Sequence, residues 1–265
     1  MQVDAIVTAG GVPKPDEPLY PYTQGKSKAL LEVTGRPMIQ WVLDALSGAQ
    51  AIRRVVVVGL NASEAPLGCE KTLGFVPNHG SLIDNIAAGV GWILGQDASA
   101  KYALLVSSDI PTITSKMVNW NVATSLQTDH EAYYSIIPKA EMERRFPGSK
   151  RSYFKFKDGT FTGSDMNLMQ TALASHYHPA WHRIVAARKN ALAQASLIGL
   201  DSLLLFALGQ LTLADAERRV SRRLNIHGRL MICPYPEAGM DVDKPAQYEL
   251  VQRDLELRGA QKLPP

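Results

Sequence analysis

Short apolar runs and helical stripes alternate along the first half of the chain. Residues 3–8 form an apolar run that ends in small side chains. Residues 37–47 read as a helix, because Pro37 suits a first-turn position and Met38, Trp41, Val42 and Ala45 recur at helical spacing. Residues 54–60 contain consecutive valines, the pattern of a strand buried on both faces. Residues 81–95 predict a helix with Leu82, Ile86, Ala87, Val90 and Ile93 on one side. A buried strand at 102–107, a helix at 114–126 and a strand at 132–137 follow. This alternation implies an α/β fold with a mostly parallel, doubly wound sheet, three layers and right-handed crossovers.

The pattern changes after residue 150. Residues 151–163 read as a hairpin turning at Asp158-Gly159. Residues 165–220 read as mostly helical, with Pro179 as a break. A last strand is expected at 229–233 and a last helix at 246–258. No repeat or low-complexity linker appears. Residues 1–265 are therefore read as one domain, with 151–225 as a hairpin plus helical insertion over one edge of the sheet. Within it, residues 191–213 are apolar-rich but interrupted by Gln194, Asp201 and Gln210. The longest clean run, 202–209, is too short to span a membrane. Burial in the core, a homodimer contact and a membrane-surface face are the readings it leaves.

Composition narrows the class. Of 265 residues, 46% are apolar and 20% charged, an ordinary globular balance. A net charge of +3 is too small to argue for nucleic acid as a partner. Cys69 and Cys233 form no CxxC pair, which argues against a disulfide framework or structural zinc and makes a reducing cytoplasm the expected compartment. The first residues lack the basic start and long apolar stretch of a signal peptide.

The candidate chemistry gathers at strand ends. Ala9-Gly10-Gly11 closes the first strand, where ligands of open parallel sheets bind. Two glycines let backbone N–H groups approach a phosphate, or simply make a tight turn. No GxGxxG or P-loop pattern is present. A long polar loop follows, and Lys14, Lys26 and Lys28 are cations for a triphosphate or a solvated basic surface. Asp109 directly follows the strand at 102–107, so its carboxylate belongs at the same sheet edge as Gly10. It suits magnesium, which takes oxygen ligands, or a cap or turn before Pro111. Asp241 and Asp243 are two apart and share a face if extended. Asp243 could complete the magnesium site or cap the last helix. His176, His178 and His182 cluster around Pro179, with metal binding, acceptor contact or plain packing open to them. Arg218, Arg219, Arg222 and Arg223 form a basic helix face that suits solvent, the helix dipole or an anionic acceptor.

Taken in order, Ala9-Gly10-Gly11, residues 28–39, Ser108-Asp109-Ile110-Pro111 and Asp241-Val242-Asp243-Lys244-Pro245 resemble the MobA-like nucleotidyltransferases. Those enzymes have a glycosyltransferase-A-like, nucleotide-diphospho-sugar transferase-like fold. The resemblance implies that Ala9, Gly10 and Gly11 cradle base and phosphates and that Ser81 and Asn85 complete the base pocket. It implies that Lys28 meets phosphates and acceptor, and that Asp109 and Asp243 hold Mg2+. Thr162-Gly163-Ser164-Asp165 stands where relatives often have Gly-Gly-Asn facing the acceptor, so Gly163 and Asp165 are expected there, with His178 as a further acceptor contact. The insertion at 151–225 would cover that side. Where relatives carry an arginine soon after the two glycines, this chain reads Val12-Pro13-Lys14-Pro15, with a point charge in place of a planar fork. Asp165 replaces an amide and cannot donate a hydrogen bond when ionised.

The implied reaction moves a nucleoside monophosphate from a nucleoside triphosphate to a phosphorylated small molecule and releases pyrophosphate. A phosphate oxygen is already ionised at neutral pH, so alignment and charge neutralisation replace a strong general base. A glycosyltransferase using a nucleotide-sugar on the same fold is the nearest rival. It would call for Asp-x-Asp after the central strand, where this chain has Asp109-Ile110-Pro111. A nucleotide-binding regulatory protein without catalysis is the rival of another class. The base and the acceptor are left open.

Overall fold

The computed structural model of the chain describes residues 1–64, 66–174 and 199–260. Strands β1 (Val3–Thr8), β4 (Ile52–Val58), β5 (Thr72–Val76) and β6 (Tyr102–Ser107) run parallel in the order β5-β4-β1-β6. A two-stranded ribbon of β2 (Glu32–Val33) and β3 (Arg36–Pro37) stands apart. Next to β6 comes β10 (Met166–Gln170), antiparallel to both its neighbours, and then β7 (Ala132–Pro138). β7 also pairs with β11 (Gly228–Ile232) in parallel and with the hairpin of β8 (Phe154–Phe156) and β9 (Gly159–Gly163). The sheet is mixed and mostly parallel, with helices on both sides, as the alternation implied.

The two faces of the sheet explain the valine run. In β1, Val3, Ala5 and Val7 point into a core shared with α2 (Met38–Ser47), α4 (Ser115–Ser125) and α8 (Pro245–Ala260). Ile6 points the other way, towards Ile86, Val90 and Ile93 of α3 (Leu82–Gln96). Val55 and Val57 of β4 join the first core, and Val56 and Val58 the second. All four valines are fully buried, each contributing roughly 1.5–3 kcal/mol of transfer free energy. Two short helices, α1 (Tyr20–Thr23) and α5 (Lys139–Arg145), interrupt loops. α6 (Leu200–Ala207) and α7 (Leu213–Leu224) precede β11. Arg219 of α7 donates to Ser202 Oγ of α6 at 2.8 Å, so one arginine of the basic face joins two helices. Arg222 and Arg223 lie in the last turn of α7, where the helix dipole favours cations.

Residues 166–170, expected to be helical, instead form β10 in the sheet itself. Met, Leu and Gln are good helix formers, but this stretch is paired along its whole length with β6, and tertiary pairing overrides propensity. Residues 175–198, which carry His176, His178 and His182 and part of the 191–213 segment, lie outside the described residues. Among the described residues no helix is long and apolar enough to cross a membrane. Cys69 and Cys233 are free thiols, and burial pushes that of Cys233 up to about 11, so it carries no thiolate at neutral pH.

Candidate active site

The glycine turn is fastened from three directions. Ala9 N–H donates to Val58 O at 2.8 Å, continuing the β1–β4 pairing past the strand end. The long loop after Gly11 returns to the turn, where Ser27 Oγ donates to Ala9 O at 2.7 Å and Lys28 N–H to Gly11 O at 2.8 Å. Lys28 thereby arrives at the carboxyl end of β1. From the third side, Asn78 Nδ2 donates to Gly10 O at 3.2 Å and Asn85 Nδ2 to Asn78 Oδ1 at 3.1 Å. Asn85 Oδ1 accepts from His79 N–H at 2.7 Å. This amide pair docks the start of α3 on the turn, and Ser81 caps that helix by accepting from Asp84 N–H at 3.1 Å.

The carboxylates come from the end of β6 and from the segment after the 3-10 turn Pro236–Gly239, which are themselves joined. Ser108 N–H donates to Thr8 O at 3.2 Å, which holds Asp109 beside the glycine turn. Val242 N–H donates to Asp109 O at 3.0 Å, which draws in the Asp241–Asp243 segment. Ligand atoms of Asp109, Asp241 and Asp243 consequently lie within 4.8 Å of one another. α4 starts at Ser115 with Thr114 before it, and α8 starts at Pro245, so neither Asp109 nor Asp243 is engaged as a cap. Their carboxylates face Lys28 instead.

Lys28 Nζ lies 2.6 Å from Asp109 Oδ2 and 2.6 Å from Asp243 Oδ1. Burial alone would lower the lysine pKa, but the charges and hydrogen bonds of Asp109 and Asp243 outweigh it and hold it above the ordinary lysine value. The Asp109 side chain is only 9% exposed, and its second oxygen, Oδ1, is buried with no hydrogen-bond donor on it. Asp241 is taken by Arg151, which also lies 3.8 Å from Asp165 Oδ2. Gln247 staples the same region: Asp243 N–H donates to its Oε1 at 2.9 Å, and its Nε2 donates to Ser149 O at 3.2 Å.

These parts surround a cleft of about 590 Å³ at the carboxyl ends of β1 and β6. Gly10, Gly11, Lys28, Ser81, Asn85, Asp109, Asp165 and Asp243 all line it, as do Asn78 and Asn167. Ala9 does not, since both its backbone groups are spent on Val58 and Ser27. Lys14 and Lys26 are exposed on the loop and are not among the lining residues. Gly163 is also absent from the lining and packs instead against Tyr134, whose Oη is 2.3 Å from where a Cβ on Gly163 would stand. His178 lies outside the described residues. Sequence reasoning missed Asn78, Arg151 and Gln247, each of which also reaches a partner distant in the chain: Gly10, Asp241 and Ser149 respectively. A paired Asn78 and Asn85 flanking a Gly-Ser cap is the one local signal it passed over.

The turn depends on a third glycine. Gly59 has φ +106°, and a Cβ there would stand 2.3 Å from Gly10 N and 2.4 Å from Gly10 Cα. Both are backbone atoms that cannot give way without moving the turn. Gly59→Ala is expected to cost roughly 1–3 kcal/mol of stability and to weaken nucleoside triphosphate binding together with it. Thermal melts and nucleotide titration would check this, and unaltered values of both would refute the close approach.

Comparison with known proteins agrees with this architecture. The profile of the MobA-like NTP transferase domain matches residues 5–227. A solved structure described as a hypothetical transferase from Thermus thermophilus is 35% identical, with TM-score 0.78, covering 94% of this chain and 100% of the other. The structure of CMP:2-keto-3-deoxy-manno-octonic acid synthetase complexed with CTP superposes with TM-score 0.55 at 14% identity, covering 99% and 100%. The 2-C-methyl-D-erythritol 4-phosphate cytidylyltransferase from Thermus thermophilus gives 0.53 at 16%, covering 97% and 100%. At those identities the last two speak to the fold alone. No curated protein matches the chain in sequence.

Proposed function

Since the chain belongs to the MobA-like NTP transferase domain family and is a nucleotidyltransferase, we propose that it moves a nucleoside monophosphate from a nucleoside triphosphate to a phosphorylated small molecule. The single observation that carries this is the meeting of Gly10, Gly11, Lys28, Asp109 and Asp243 in one cleft at the carboxyl ends of parallel strands. An acceptor phosphate oxygen attacks the α-phosphorus, the bond from that phosphorus to the bridging oxygen breaks, and pyrophosphate leaves with the bond's electron pair.

Among the described residues, the lining offers one cation, Lys28, against the carboxylates Asp109, Asp165 and Asp243. A polyphosphate needs more positive charge than this. The donor set fits a hard divalent cation, because it is all oxygen and because Asp109 Oδ1 is buried without a donor. Asp109 and Asp243 are the residues that would hold Mg2+; Asp241 is committed to Arg151. When bound, such an ion supplies positive charge beside the phosphate oxygens. Lys28 places its ammonium next to the same phosphates, and the N–H groups of Gly10 and Gly11 orient them. Ser81, Asn85 and Asn78 border the base. Asp165 and Asn167 face the acceptor, with the described residues of the 151–225 insertion on that side of a single catalytic domain.

The test is pyrophosphate release with Mg2+, CTP first and then the other three nucleoside triphosphates, against a panel of phosphorylated sugars, polyols and cofactor precursors. CTP leads because one structural neighbour is described in complex with it. Release that requires both a triphosphate and a phosphorylated acceptor is the expected result. Transfer from a nucleotide-sugar without pyrophosphate, or nucleotide binding without turnover on any acceptor, would overturn the proposal.

A further inference from the structure

Lys28 holds the two carboxylate oxygens that a divalent cation would need. Its Nζ contacts Asp109 Oδ2 and Asp243 Oδ1 at 2.6 Å each, and its side chain is only 18% exposed. Both contacts are at the short end for a charge-assisted hydrogen bond. The ammonium is therefore seated between the two carboxylates, and its charge is neutralised by them. Mg2+ binds carboxylate oxygen at about 2.0–2.1 Å and cannot share that space with an ammonium. Arg151 leaves Asp241 no freer, since the guanidinium faces Asp241 and Asp165 together.

We infer that Lys28 is an intramolecular competitor for the metal, and that it makes the metal–nucleotide complex, rather than the free ion, the ligand this protein takes up. This rests on the nucleotidyltransferase reading of the same cleft. A free ion would have to displace a mostly buried ammonium from both carboxylates at once, while the remaining carboxylate among the described residues of the cleft lining, Asp165, already faces Arg151. A triphosphate brings its own negative charge, so Lys28 can leave the carboxylates for the phosphates as the ion arrives. Binding of ion and nucleotide is then strongly and reciprocally coupled, within the roughly 5–150-fold range that such couplings commonly span.

The probe is Mn2+ alone, titrated calorimetrically and by electron paramagnetic resonance into protein without nucleotide. Wild type should bind it weakly. Lys28→Met should bind it at least ~10-fold more tightly, and Lys28→Gln likewise. Lys101→Met removes a lysine paired with Asp129 away from the cleft and controls for net charge; it should match wild type. Lys28→Met should also lose thermal stability in EDTA and recover it with Mg2+, as the ion replaces the ammonium between Asp109 and Asp243. If the variants fail to fold, wild type still decides: saturating Mn2+ should speed reductive methylation of Lys28, read by peptide mass spectrometry. Lys28 variants that bind Mn2+ no more tightly than wild type, or a methylation rate that saturating Mn2+ leaves unchanged, would overturn the inference. Absence of pyrophosphate release from wild type in the substrate screen would instead sink the enzymatic reading, and the metal titration would stand apart from it.

Discussion

Asp109→Asn is expected to lower magnesium-dependent pyrophosphate release by about 10²–10³-fold. The substitution keeps the size of the side chain and removes only its charge. Asp109 stands at the end of β6, is nearly buried, and offers one oxygen to Lys28 and a second that meets no donor. An amide there can neither neutralise Lys28 nor hold a hard cation with two oxygens. Backbone bonds from Val242 to Asp109 and from Ser108 to Thr8 do not involve the side chain, so the fold should persist. Circular dichroism and thermal melts would confirm that, and turnover would be measured across a Mg2+ series. Near-wild-type turnover at low Mg2+ would remove Asp109 from the metal and from the mechanism.

The largest stability effect is expected at Asp4, far from the cleft chemistry. This aspartate is fully buried in β1 and accepts from two guanidinium groups of β4. Arg54 Nε and Nη2 reach it at 3.0 and 2.8 Å, and Arg53 Nε and Nη2 at 3.2 and 2.9 Å. Asp4→Ala strands the mostly buried Arg54 charge beside an empty space and should cost about 3–5 kcal/mol. For a chain of this size that is on the order of 10 °C in melting temperature. Burial by itself would raise the Asp4 pKa, but the hydrogen bonds and charges of Arg54 and Arg53 exceed that and leave it lowered. The folded state therefore binds the Asp4 proton less readily than the unfolded chain. The group's contribution is complete above the ordinary aspartate value of about 4 and is lost as pH falls below it. Denaturant melts of wild type and Asp4→Ala should accordingly differ most near neutral pH and converge in acid. A constant difference down to strongly acid pH would show that packing, not charge pairing, sets the effect.

Much of the site was readable because several of its parts sit at strand ends, and strand ends were readable from apolar runs. Gly10 follows one such run and Asp109 follows another, so a parallel sheet delivers both to the same edge without further information. The choice between roles was not readable. Asp243 could have capped a helix, and only its approach to Lys28, 215 positions away in the chain, decides against that. Residue type alone left the loop lysines alike and only the resemblance singled out Lys28, which enters the cleft with its own N–H tied to Gly11, while Lys14 and Lys26 remain on the outside. Arg151 and Gln247 carried no signal. An arginine at the start of a hairpin and a glutamine in a first helical turn are ordinary until the fold places them against Asp241 and Asp243.

The sequence by itself determined the alternation of strand and helix, the two-faced burial of β4, the glycine turn at the end of β1 and the family. Each of these is written in neighbouring residues, through periodicity, backbone freedom or short ordered motifs. The tertiary structure alone decided which short segments become strands and which charges meet. β5 is hidden in the sequence by Gly74, which weakens any strand pattern; the structure needs it because a Cβ there would stand 2.4 Å from the Trp92 ring. β10 is hidden by helix-forming side chains and exists because β6 offers it an unpaired edge. The ion pairs Lys28–Asp109, Lys28–Asp243 and Arg151–Asp241 join segments that no local rule connects. Pairing energy and charge neutralisation act through space, so their outcome is set by which strand ends the closed fold brings together.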